Sequence, residues 1–229
     1  MAIRFILKKQ LSYLSSKFIV GCIGPSEELS MNISPKLIEL TESKLGPIEN
    51  ILPINDFPNP PESYFKEMGL KPLSTTIFIL KKSGSYSDLH HIKKITSKLE
   101  SELENSNGQR YFNINPGAIG RYGLILASHK PTGKRPDINT YAYGIFPHLF
   151  FTKPDTYYER IMRWEDGKLI LLGDNAAFSE YKTTERMNYF EKMVASLGGK
   201  SSIELMVDSE KFEHDKNSIY SLRKCFSLE

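Results

Sequence analysis

The sequence predicts an α+β domain: one sheet, largely antiparallel or mixed, with helices packed on it. Three observations lead there. Runs rich in β-branched and aromatic residues come in adjacent, hairpin-like pairs; two segments of helical apolar spacing are interleaved early; and the composition supports a core. A doubly wound parallel sheet is the lesser alternative, since it asks for a helix after each strand. The chain has 229 residues, 40% apolar and 11% aromatic, which fits one enlarged domain better than two small ones. Its 15 glycines and 13 prolines are too few for a collagen-like or low-complexity chain.

Taken in order, residues 1–16 form a charged, amphipathic segment. Lys17 to Ile23 is a continuous apolar run stopped by Gly24-Pro25, the mark of a buried strand. Ser26 precedes Glu27-Glu28, and Leu29, Ile33, Leu37, Ile38, Leu40 and Leu45 recur at helical spacing up to Gly46-Pro47, predicting one helix. Ile48 to Phe57 is extended, Pro58 to Pro61 is a loop because successive prolines exclude helix, and Ser63 to Met68 is a brief helical turn stopped by Gly69. Thr75 to Leu80 is a strand.

Ser87 to Asn105 carries the clearest helical pattern, with Leu89, Ile92, Ile95, Leu99 and Leu103 on one face and Ser87 as cap. Arg110–Ile114 and Gly123–Ala127 are strands, with Asn115-Pro116-Gly117 between them as a type II turn in which Pro fixes φ and Gly supplies a positive one. Tyr141 to Phe151 is extended. Ile161–Trp164 and Lys168–Leu171 flank Glu165-Asp166-Gly167, a hairpin signal, and helices are expected over Thr184–Leu197 and Ser218–Phe226. A seam falls after Phe151, so residues 17–151 make the main domain and 152–229 a C-terminal extension packed on it.

Thirty basic against twenty-seven acidic residues leave a formal charge of +3, too little for avid nonspecific binding to nucleic acid or anionic lipid. Cys22 and Cys225 give neither metal spacing nor a disulfide framework and read as reduced thiols in a cytoplasmic protein. Charge interrupts the apolar residues among the first nine, against a signal peptide. No stretch reaches the ~18 apolar residues of a membrane span.

The phosphate loop is absent. Thr132-Gly133-Lys134-Arg135 has the Gly-Lys pair, but Ser128 stands where the first glycine belongs and no hydroxyl follows. Gly-x-Ser-x-Gly, His-Glu-x-x-His and paired Cys-x-x-Cys are missing as well. His90 and His91 sit side by side on the expected helix, about 100° apart, and do not share a face for a metal. No metal site is expected. The segment Ser128 to Pro136 is basic and glycine-containing at a strand end, so Lys130, Lys134 and Arg135 are candidates for holding a phosphate or carboxylate. A solvated surface loop is the plainer reading of the same residues. Tyr64, Phe65 and Met68 read as core or staple residues, and Trp164 as a packing residue.

Six short pieces in sequence carry a resemblance: Lys17–Gly21, Leu45–Ile48, Tyr64-Phe65 with Glu67–Gly69, Asn113–Gly117, Leu126–Lys130 and Gly144–Phe146. In this order they resemble a bacterial family known as domain of unknown function 4416, over about residues 17–151. The family implies a shared fold without an established reaction. Some members carry a GTP-binding label, which the missing phosphate loop leaves without support here. Where the family pattern has Asn-Leu-Asp-Pro-Gly this chain has Asn113-Ile114-Asn115-Pro116-Gly117, an amide in place of a carboxylate. Phe65 replaces a second tyrosine, no Thr-Asp precedes the pair, Pro147-His148 stands where Ala-Glu is usual, and Lys134 replaces a histidine.

Loss of two carboxylates with retention of Lys130 and Arg135 weakens a metal-assisted or general-base role and leaves anion binding intact. The expectation is therefore an anionic small molecule or nucleotide near Lys130, Lys134 and Arg135, with Glu67, Asn115 and His148 nearby. A noncatalytic scaffold that engages a protein partner through residues 155–229 is the alternative. A phosphoryl-transferring or hydrolytic enzyme has less support, with His148 its one nameable acid or base.

Overall fold

The apolar run that opens at Lys17 folds as β1 (Ser16–Pro25), a central strand held on both sides. In the computed structural model, which describes residues 16–30, 34–57, 60, 62–69, 72–84, 88–104, 108, 110–121, 123–128, 157–171 and 181–199, the remaining strands are β2 (Ile48–Asp56), β3 (Leu73–Gly84), β4 (Asn113–Gly120), β5 (Gly123–Ser128), β6 (Tyr157–Glu165) and β7 (Lys168–Leu171). They form one curled sheet in the order β2-β3-β1-β4-β5-β6-β7, antiparallel at every pairing. The helices are α1 (Ser26–Ser30), α2 (Pro35–Leu45), α3 (Glu62–Met68), α4 (Leu89–Glu102) and α5 (Thr184–Ser196). The fold is α+β.

Burial on both faces explains why β1 and β3 read as continuous apolar runs rather than alternating ones. Phe18, Val20, Cys22, Phe78, Leu80, Ile114 and Ala118 face α2 and α4, whose Leu37, Leu45, Leu89, Ile92 and Leu99 close one core. Ile19, Ile77, Ile79, Ile119, Leu124 and Leu126 face the other way and pack with Tyr181 and with Phe190 and Val194 of α5. A third, smaller cluster at one end joins Ile23, Phe57, Leu73 and Met68 of α3. Strands β6 and β7 and helix α5, all beyond residue 151, are part of this one sheet and its covering.

The single helix expected from Ser26 to Leu45 is instead two. Pro35 occupies the first turn of α2, where its missing N–H is harmless, and it forces Ser34 to an extended ψ of 113°. The Asn115-Pro116-Gly117 turn is also corrected. These residues lie within β4, with Asn115 opposite Gly21 and Pro116 opposite Val20. The strand accepts a proline because β5 pairs with β4 only from Gly117 onward, so Pro116 borders a stretch without a ladder on that side. Gly117 serves close packing: a Cβ there would lie 2.7 Å from Leu126 Cδ2 and 3.0 Å from Ile19 Cγ1. The reversal between β4 and β5 comes later, between the paired Gly120 and Gly123.

Gly123 has φ +117°, and a Cβ on it would stand 2.0 Å from the Met162 carbonyl oxygen, so only glycine fits. The β6–β7 hairpin turns where Asp-Gly predicts, with positive φ at both Asp166 and Gly167. Helix α4 begins after Asp88. Ser87, residues 141–151 and 218–226, and the seam after Phe151 lie outside the described residues.

Candidate functional site where β4 and β5 part

Antiparallel pairing brings several strand ends to one rim of the sheet. Pro25 of β1 lies opposite Leu73 of β3, Asp56 of β2 opposite Ser74, Asn113 of β4 opposite Ile23, and Ser128 of β5 opposite Tyr157 of β6. Near that rim β4 and β5 separate. Among the described residues their ladder ends at Gly117 and Leu126, although β4 extends back to Asn113 and β5 forward to Ser128.

Backbone groups left without a strand partner need others. At Ile114 they come from α4: its N–H donates to Glu100 Oε1, and its carbonyl accepts from Lys93 Nζ at 3.1 Å. Lys93 is buried on a helix face it shares with Ile92, Thr96 and Leu99, as a cation can be when its head group is hydrogen-bonded. Asn113 and Asn115 stand two residues apart on the opposite face of β4. Asn113 donates from Nδ2 to Tyr64 Oη at 2.7 Å, and its Oδ1 accepts from Arg110 Nη1 at 3.1 Å. Tyr64 meets Phe57 edge to face, ring centroids 5.9 Å apart, which fixes α3 against the sheet.

Arg110 is the hub. It is ion-paired with Glu67 of α3, and its Nη1 lies 3.8 Å from Glu100 Oε2. Arg110 Nε is buried and donates to nothing among the described residues. Beside this cluster, Tyr111 donates to Glu28 Oε1 at 3.0 Å, and burial first, then that bond and the Glu28 and Glu27 charges, raise its pKa. On β1, opposite Ile114, Cys22 is a free, buried thiol whose pKa is pushed up by burial and by the Glu100 charge.

Of the six residues picked from sequence, Glu67 and Asn115 are described. Glu67 is tied to β4 through Arg110 and Asn113, and Asn115 is half-buried one side-chain position further along that face. Lys130, Lys134, Arg135 and His148 lie outside the described residues. Sequence reasoning passed over Arg110, Asn113, Lys93 and Glu100. The last two did leave a signal: a lysine and a glutamate seven residues apart, on the face that also carries Ile92 and Leu99.

A separate groove of about 460 Å³ runs between β2 and α5, lined by residues that include Asn50, Pro53, Arg186, Tyr189 and Lys192. It holds none of the residues picked from sequence. Its backbone edge is partly satisfied already, since Ile51 N–H donates to Asn50 Oδ1 and the Pro53 carbonyl accepts from Arg186. Among the described residues no group of His, Cys, Asp and Glu is arranged to hold a metal, and no helix is long and apolar enough to cross a membrane.

A parted antiparallel sheet with an amide-bearing strand at the opening is the class of structure defined here. Residues 16–165 match the family described as Domain of unknown function (DUF4416), and the chain belongs to that family. Neither the curated proteins nor the solved structures give a match.

Proposed function

We propose that the rim where β4 and β5 part binds an anionic small molecule, with nucleotides among the candidate classes. Lys130, Lys134 and Arg135 supply the charge, and Asn115, Glu67 and His148 line the approach. The observation that carries the reading is topological. At this rim Ser128 ends the described part of β5, the stretch of β4 that holds Asn113 and Asn115 has no β5 partner among the described residues, and in the sequence the basic segment begins two residues after Ser128. Within the described cluster Arg110 and Lys93 are matched by Glu67 and Glu100. The reading therefore takes its positive charge from the basic segment.

Thermal unfolding in the presence of phosphate, pyrophosphate, nucleotides and sugar phosphates tests the reading. A ligand at a hundredfold excess over its Kd stabilises the fold by about 2.7 kcal/mol, a readily measured shift in Tm. Lys130→Ala with Arg135→Ala should remove most of it. Absence of stabilisation by every anion, or stabilisation untouched by the double variant, ends the proposal.

A further inference from the structure

The Arg110 cluster resembles a binding site whose anion is already supplied by the protein. Two carboxylates meet one guanidinium, and they are not equivalent. Glu100 also holds the Ile114 N–H and has a side chain 14% exposed, whereas Glu67, on the seven-residue helix α3, is 34% exposed. Glu100 is therefore committed to the sheet, and Glu67, the more exposed of the two carboxylates, is the one that solvent can more readily receive. Arg110 has Nε still to donate, in the fork geometry that matches carboxylates and phosphates.

We propose that Arg110 is a ligand-contacting residue of the rim and that Glu67 is a resident stand-in for the anionic group of the ligand. This rests on the anion-binding reading above. Binding then exchanges Glu67 for an oxyanion of the ligand on Arg110, and α3, which Glu67 and Tyr64 tie to β4, is loosened in the exchange. Arg110 keeps its bond to Asn113, which holds the guanidinium in place while the carboxylate changes.

Calorimetric titration of sodium pyrophosphate into the 229-residue chain tests this. Glu67→Gln, which removes the competing charge, should tighten binding by about two- to fivefold, the equivalent of a weak exposed ion pair. Arg110→Lys, which keeps the charge and loses the fork, should weaken it about tenfold. The Arg110 Nε–H resonance should move as pyrophosphate is added, a readout that needs no variant to fold. Wild-type affinity in both variants, with Lys130→Ala and Arg135→Ala together abolishing binding, would overturn the stand-in and leave the rim reading in place. No heat and no resonance shift with wild type or Glu67→Gln would overturn the stand-in, and the rim reading falls with it only if every other anion also fails to stabilise the fold.

Discussion

Arg186 of α5 and Thr75 of β3, 111 residues apart in sequence, are joined by two hydrogen bonds inside the protein: Nη2 to the Thr75 carbonyl at 2.8 Å and Nη1 to Thr75 Oγ1 at 2.9 Å. Nη2 also donates to the Pro53 carbonyl of β2 at 2.7 Å, and the Asn55 amide, its oxygen turned to the guanidinium, accepts from Nε at 3.1 Å. Arg186 is fully buried. One side chain thus fastens the helix that covers the second face to the two strands at one edge of the sheet.

Arg186→Met keeps the apolar stem and leaves the Thr75 and Pro53 carbonyls without this donor. At about 1–3 kcal/mol for each of these two buried groups, the cost should be about 2–6 kcal/mol, read as a lowered urea midpoint. A midpoint equal to wild type would show that α5 is held by its apolar contacts alone.

Gly21 is required by a neighbour rather than by its own dihedral angles. A Cβ on Gly21 would lie 2.4 Å from Tyr181 Oη, so Gly21→Ala should cost about 1–3 kcal/mol by overpacking. Tyr181→Phe removes the offending oxygen, and the double variant should regain most of the loss. Additive single costs in thermal unfolding would place the strain elsewhere.

Cys22 makes stability depend on alkaline pH. Its ordinary pKa is 9.0, and burial carries the folded value well above that. Above pH 9 the folded state holds the proton that the unfolded chain releases, so stability falls as pH rises, by at most about 1.4 kcal/mol per unit. Below pH 9 both states are protonated and this group adds no slope. Tyr111, also raised, acts in the same direction from pH 10 upward. Urea unfolding at pH 8, 9 and 10 should show a shallower decline in Cys22→Ala than in wild type. Equal slopes would refute the assignment.

Lys93 and Glu100 both act on Ile114, one on its carbonyl and one on its N–H. Lys93→Met should cost about 1–3 kcal/mol by leaving that carbonyl without the ammonium. Because the two side chains serve one residue, Lys93→Met and Glu100→Gln should be coupled by about 0.5 kcal/mol or more in a double-mutant cycle. Strict additivity would mean that the clip is two independent bonds.

Elements whose signal lies within a few residues were legible in the sequence. The five apolar positions from Leu89 to Leu103 mark α4, Asp166-Gly167 marks the β6–β7 hairpin, and the run from Lys17 to Ile23 marks β1. Pro35 was equally visible as a break, and the apolar spacing on either side of it masked the split into α1 and α2. Asn115-Pro116-Gly117 misled because its turn chemistry is genuine, whereas its role depends on where β5 ceases to pair.

The α+β class, the positions of most elements and the family could be read along the chain, because helical and strand periodicities and short motifs are local properties. Tertiary structure decided which strands are neighbours, and hence that Glu67 meets an arginine 43 residues away and that Ile114 is served by a helix rather than by a strand. Those partnerships arise because both faces of the sheet must be buried and every polar group left at its opening must be satisfied, conditions that no short stretch of sequence records.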